Sequence, residues 1–272
     1  MGHSMEVLGY IASILIGISL GMLGSGGSIL TVPVLVYLMN INPLLATTSS
    51  LFIVGTTSLV GGLRAYSKGL VDFRAITEFG IPSIFSIFIT RHYILPSLPD
   101  IIFSIANIQV SKEMFLMLVF AILMLAASFT MICNKNENID QNENAEINRH
   151  NKVLPLVVLG ILVGFVTGLL GAGGGFLIIP TLVLFLNLPM KKAVGTSLLI
   201  IAINSLFGFL FSLKQFEYNW TILIVFSILA IAGIFIGSKL SDKITGTALK
   251  KGFGWFVLIM GIYIILKELF LH

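Results

Sequence analysis

Two stretches carry the residue types that could hold a small charged molecule inside an otherwise apolar chain. One is Gly24-Ser25-Gly26-Gly27 and the other is Gly171-Ala172-Gly173-Gly174-Gly175. Glycines in such runs let the backbone turn and free its N–H groups. A helix opening behind them aims its positive end at whatever sits there, which is chemistry for an anion. The competing role is packing, since small residues let transmembrane backbones approach closely. A nucleotide loop is excluded, because no strand precedes either run and no Gly-Lys-Ser/Thr follows. Hydroxyl-bearing stretches follow both clusters at equal spacing, with Thr48 and Ser50 in Ala46–Leu51 and Thr196 and Ser197 in Ala193–Leu198. They stand in the first turns of long apolar runs, where they can cap a helix or donate to a bound oxyanion. Asn204 comes seven residues after Ser197, two turns on and on the same helix face. Glu78 stands four residues into an apolar segment, either at its interfacial end or as a candidate for proton coupling. No Ser/His/Asp set or carboxylate pair has usable spacing, so no catalytic residue and no enzyme is expected. The four histidines have no ligand spacing, and neither a metal nor a cofactor is expected.

These residues belong to a repeat. Gly21–Asn40 returns as Gly168–Asn187 at an offset of 147, and over 21–62 against 168–209 there are 17 identities in 42 positions. They include Gly24/Gly171, Gly26/Gly173, Gly27/Gly174, Pro33/Pro180, Ser50/Ser197 and Ser58/Ser205. An internal repeat fixes the architecture before any motif is read.

The elements that position these residues are membrane helices. Hydrophobic residues make up 57% of the 272 and charged residues 10%, against about 25% charged in a soluble domain. The formal charge of +4 therefore speaks of loop orientation and not of nucleic acid. One cysteine, Cys133, excludes an internal disulfide. No cleavable leader is expected at MGHSMEVLGY, and residues 1–4 could be a cloning scar ahead of Met5. Ten apolar segments are predicted, at 6–23, 29–39, 44–63, 75–91, 113–133, 153–170, 176–187, 193–212, 220–238 and 252–271. Segments two and seven reach only about half the hydrocarbon core, so each is a broken or re-entrant helix, and whether it crosses stays open. Residues 134–152 are polar and Asn-rich and read as a flexible linker between a first repeat, 1–133, and a second, 153–272. The stretch from Arg91 to Lys112 is an insertion of the first half with no assigned role.

Loop charges decide how the halves are related. If each short segment returns the chain to its side, 12 Lys/Arg fall on the linker side and 4 (Arg91, Lys112, Lys214, Lys267) on the other. With four crossings per half the split is 8 against 8. The positive-inside bias selects the first arrangement. The fold expected is an all-α integral membrane protein of two inverted-topology repeats, five segments each. The linker is cytoplasmic and both termini face outward. Such repeats, with broken helices meeting at the midplane, are a layout of secondary transporters.

The pattern Gly171–Gly175, then Pro180, then Ala193-Val194-Gly195-Thr196-Ser197-Leu198 resembles the sulfite exporter TauE/SafE family of membrane permeases. Gly24–Ser28, Pro33 and Ala46–Leu51 form a weaker copy, with Ser28 in place of Gly175 and Thr47-Thr48 in place of Val194-Gly195. Gly69–Phe73 is also similar to the family, and the likeness covers nearly the whole chain. It implies a carrier of small sulfur-containing anions such as sulfite, thiosulfate or an organosulfonate. The residues alone say less: an inverted-repeat transporter, with an anion as one candidate cargo. Residues and resemblance together lead to the expectation of a transporter in the plasma or bacterial inner membrane, with a small anionic substrate and the lipid bilayer as partners. They leave oligomeric state unknown. The alternatives are a permease for another small solute or ion, and a membrane scaffold without transport.

Overall fold

The computed structural model describes residues 2–24, 27–105, 108–133, 153–186, 188–240 and 246–270. The linker 134–152 and Gly26 lie outside them. Ten helices are described: α1 Gly2–Leu23, α2 Ser28–Tyr37, α3 Pro43–Ser67, α4 Phe73–Ser97, α5 Lys112–Cys133, α6 Val153–Leu170, α7 Gly175–Leu186, α8 Met190–Ser212, α9 Trp220–Leu240 and α10 Gly246–Phe270. Six of them (α3, α4, α5, α6, α8, α9) are long and apolar enough to cross a membrane. Large apolar side chains such as Phe85, Ile122, Phe129, Leu154 and Ile259 face outward, as a surface in contact with lipid requires.

Local chemistry sets the helix starts. Asn42 accepts from the Leu44 N–H with Pro43 at the first position, Asp72 accepts from the Ala75 N–H, and Asn219 from the Ile222 N–H. α1 and α6 end at Gly24 and Gly171, whose N–H groups close back on Leu20 O and Thr167 O. Both glycines have positive φ, +74° and +69°, the left-handed cap that glycine adopts without penalty. α2 and α7 have 10 and 12 residues, so each is roughly 15–18 Å long and carries an internal proline.

The structure departs from the expected all-helical chain in one place among the described residues. The insertion holds a two-stranded antiparallel hairpin, β1 Ile101–Ile105 and β2 Ile108–Ser111, with Phe103 opposite Val110 and Ile105 opposite Ile108. The expected end of segment four at Arg91 is also corrected. α4 runs on to Ser97, through two π turns at Ile76–Gly80 and Thr90–Ile94. Arg91 is therefore inside a helix and is not a loop charge.

The helices pack in pairs that survive exchange of the two halves. α1 lies on α9 and its counterpart α6 lies on α4, while α3 packs on its own counterpart α8 and α5 on α10. Individual contacts obey the same exchange. Gly17 abuts the Ala230 carbonyl, and Gly164, 147 residues on, abuts the Ser83 carbonyl, 147 residues back. Gly61 against Leu198 is matched by Gly208 against Leu51. Along the central pair Leu51 meets Gly208, Gly55 meets Leu206 and Gly62 meets Leu199, so α3 and α8 run in opposite directions. α3 and α8 are the most enclosed spans, and they carry 11 of the 24 buried polar or charged residues among those described.

Candidate functional site

The site lies along the α3–α8 seam. The two hinges meet it from opposite halves. Gly171 sits against the Thr47 backbone at the start of α3, and the Ser50 hydroxyl donates to the Gly171 carbonyl. By the same exchange Gly24 sits against Val194 at the start of α8. Gly173, at φ +68°, faces the seam itself: a Cβ there would lie 3.0 Å from Val54, Ile201 and the Ser205 hydroxyl. Gly27 and Gly174 turn the other way, onto the preceding helix of their own half, at Ile16 and Ser19 and at Val163 and Thr167. Gly175 opens α7.

The hydroxyls separate into two groups. Ser197 donates to Val194 O at 2.8 Å within its helix, and Thr196 accepts the Asp72 N–H at 2.9 Å. Ser197 thus serves its own helix, and Thr196 ties α8 to the start of α4. Thr48 accepts from Arg91 Nη1 at 2.8 Å, and its hydroxyl lies 3.3 Å from Leu44 O. Ser50 ties α3 to the second hinge. The deepest polar group is elsewhere on the seam. Asn204 is fully buried with neither amide atom partnered, and Ser205 and its repeat mate Ser58 are buried with unpartnered hydroxyls. Desolvating polar groups without partners is costly, which makes these three residues the candidates for holding a polar guest. Glu78 is removed from it. It pairs with Arg74 at 2.6 Å at the start of α4, more than three turns before Arg91.

Arg91 is the functional candidate that the sequence reading counted only as a loop charge. It is completely buried, and its Nε and Nη2 have no acceptor. Gln215 Nε2 donates to its carbonyl at 3.3 Å. Tyr218 lies close by and donates to Ser212 O at 2.9 Å. Burial pushes the Tyr218 phenol up to about 12, with Arg91 opposing, so it is neutral at pH 7 and supplies no counter-charge. The missed signal was the apolar run Tyr93-Ile94-Leu95 after Arg91, which continues the helix as far as Pro96.

A duplicated helical chain with apolar side chains outside, and with buried unpartnered polar groups both on the seam between its halves and on the helices around it, has the build of a membrane transporter. The chain belongs to the sulfite exporter TauE/SafE family, whose profile matches residues 10–264. It is 30% identical to a "Probable membrane transporter protein" of Xylella fastidiosa strain Temecula1, over 93% of this chain and 92% of that one. It is 26% identical to the "Probable membrane transporter protein MJ0441" of Methanocaldococcus jannaschii, over 93% and 94%. The same identity links it to the "Probable membrane transporter protein YunE" of Bacillus subtilis, over 95% and 96%. No solved structure matches the chain.

Proposed function

We propose that this protein is a secondary transporter for a small sulfur-containing oxyanion, such as sulfite, thiosulfate or an organosulfonate. The anion is bound on the α3–α8 seam and exposed to each side in turn as one repeat rocks against the other. The observation that carries this reading is the trio Ser58, Asn204 and Ser205 on α3 and α8, buried and unpartnered, with the Ser205 hydroxyl beside Gly173. An oxyanion accepts from all three without requiring a full counter-charge in the lipid interior. The N-terminal turn of α7, behind Gly173, Gly174 and Gly175, adds the positive end of a helix, as Gly24, Gly26 and Gly27 do for α2. Thr48, Ser50, Thr196 and Ser197 hold the starts of α3 and α8 around it. The family name supports the class of anion.

Inverted topology follows from equivalent helices that span in opposite directions. The antiparallel α3 and α8 support it, and so does the charge count. With Arg91 completely buried and so no interfacial charge, the outer side keeps 3 of its 4 cations against 12 on the linker side. The test of transport is uptake of labelled sulfite, thiosulfate and a sulfonate into proteoliposomes. Flux of at least one above protein-free vesicles is expected. Flux of none of them overturns the reading, and flux of an uncharged solute alone moves the protein to the second class of permease. For topology, single cysteines in a Cys133→Ala background should label at 134–152 only from the cytoplasmic side of the plasma or bacterial inner membrane. An outside label there reverses the assignment.

A further inference from the structure

Arg91 is the only buried cation among the described residues, and the seam gives it no counter-charge. Nη1 is held by Thr48, while Nε and Nη2 stay open. Those two nitrogens form one edge of the guanidinium, with parallel N–H vectors that match two oxygens of a carboxylate-, sulfonate- or sulfite-like group. A buried charge without a partner is unfavourable enough in a membrane protein that a function has to maintain it. The backbone there is unusual too, since Arg91 falls in the π turn Thr90–Ile94, a geometry frequent at functional sites.

Its position gives access. Leu44 and Leu95 lie one turn from Thr48 and Arg91 on their helices. With Pro96, Lys112, Gln215 and Phe216 they line a cavity of about 380 Å³. Arg91 and Thr48 thus stand one helical turn along the chain from residues that line that cavity. The repeat mate of Arg91 is Ser238, and there the cation comes from α3 instead: Arg64 Nη1 donates to the Ser238 hydroxyl at 2.6 Å and is only partly buried, so the fully buried guanidinium occurs at one end of the seam.

We propose that Arg91 and Thr48 form an anion subsite at one mouth of the seam, where the Nε–Nη2 edge takes two oxygens of an oxyanion arriving from the Lys112–Gln215 cavity. The subsite deepens, and rests on, the reading of the chain as an oxyanion transporter. It selects two-oxygen faces over a spherical halide. It also loads the seam from one side, from which the anion passes to Ser58 and Asn204.

The test uses the full chain, wild type, Arg91→Met and Arg91→Lys. Purified protein is melted with sulfite, thiosulfate, methanesulfonate or chloride, and flux is measured separately in proteoliposomes. The oxyanions should raise the wild-type Tm by several degrees and chloride should not. Arg91→Met should melt no lower than wild type without ligand, lose the oxyanion shift and lose at least tenfold in flux. If Arg91→Met does not fold, Arg91→Lys decides: it keeps the charge without the fork, and should lose the preference for oxyanion over chloride. An unchanged shift in Arg91→Met, or unchanged preference in Arg91→Lys, overturns the subsite. Oxyanion flux that survives Arg91→Met overturns the subsite and leaves the transport reading standing. Binding that depends on Arg91 without flux leaves the subsite and removes the transport reading. Neither binding nor flux overturns both.

Discussion

Gly171→Ala should unfold the protein at a markedly lower temperature than any other single methyl added to the hinges. Two terms act together. An L-residue at φ +69° costs about 1–2 kcal/mol. The added Cβ also runs into the Thr47 carbonyl and its backbone, which cannot rotate away, and overpacking of that kind costs about 1–3 kcal/mol. The sum of about 3 kcal/mol is a large part of a typical stability of about 5–15 kcal/mol. Two controls separate the terms. Gly69 has the same φ, +69°, with nothing within 4 Å, so Gly69→Ala reports backbone strain alone. Gly24→Ala meets chiefly the Val194 side chain, which can give a little, so its effect should fall between the two. Thermal unfolding in detergent ranks them. If Gly171→Ala melts with Gly69→Ala, the second hinge does not bear on α3 as described.

Asn204→Leu should do the opposite: leave stability intact or raise it, and remove transport. The side chain is fully buried with its oxygen and nitrogen both unpartnered. Replacing such an amide by an apolar group of similar size relieves a penalty of about 1–3 kcal/mol. A hydrogen bond from the amide to a charged guest is worth about 1.5–3 kcal/mol, so its loss lowers affinity about ten- to a hundredfold. Melting temperature and oxyanion flux on the same preparation check both halves of the statement. A variant that melts lower and transports normally would make Asn204 a structural residue. Ser205→Ala should behave likewise, with a smaller loss.

The contrast explains what the sequence could reveal. Helices, their starts at Asn42, Asp72 and Asn219, and the shortness of α2 and α7 are local matters of hydropathy, capping and proline, and they were legible. The hinges were legible because the chain repeats itself. The meeting of Gly171 with Thr47 was not, since no local rule says which helix start faces which cluster. Ser58 could be seen as the mate of Ser205, yet their lack of partners is visible only once α3 and α8 are packed. Arg91 was misplaced for a related reason. A cation followed by a histidine usually ends a membrane segment, and only the packing of α8 and the Gln215–Tyr218 turn against it allows the helix to carry the charge inward. The hairpin at 101–111 replaced an insertion of unassigned form. Its apolar residues Ile101, Ile102, Ile105 and Ile108 equally suit a short helix until the partner strand is known.

The exchange symmetry is not perfect, and the imperfection points in a direction. Gly27 has helical angles, φ −64°, while its mate Gly174 has φ +67°. A carrier made of two inverted copies can reach its opposite state when each copy takes up the shape the other has now. On that logic the structure contains a description of the state it does not occupy. If the inverted-repeat exchange proposed above operates, Gly27 should cross to positive φ and Gly174 relax to helical angles in that state. The two half-helices would then trade roles, and glycine at 27 would serve a conformation that only the other end of the transport cycle uses.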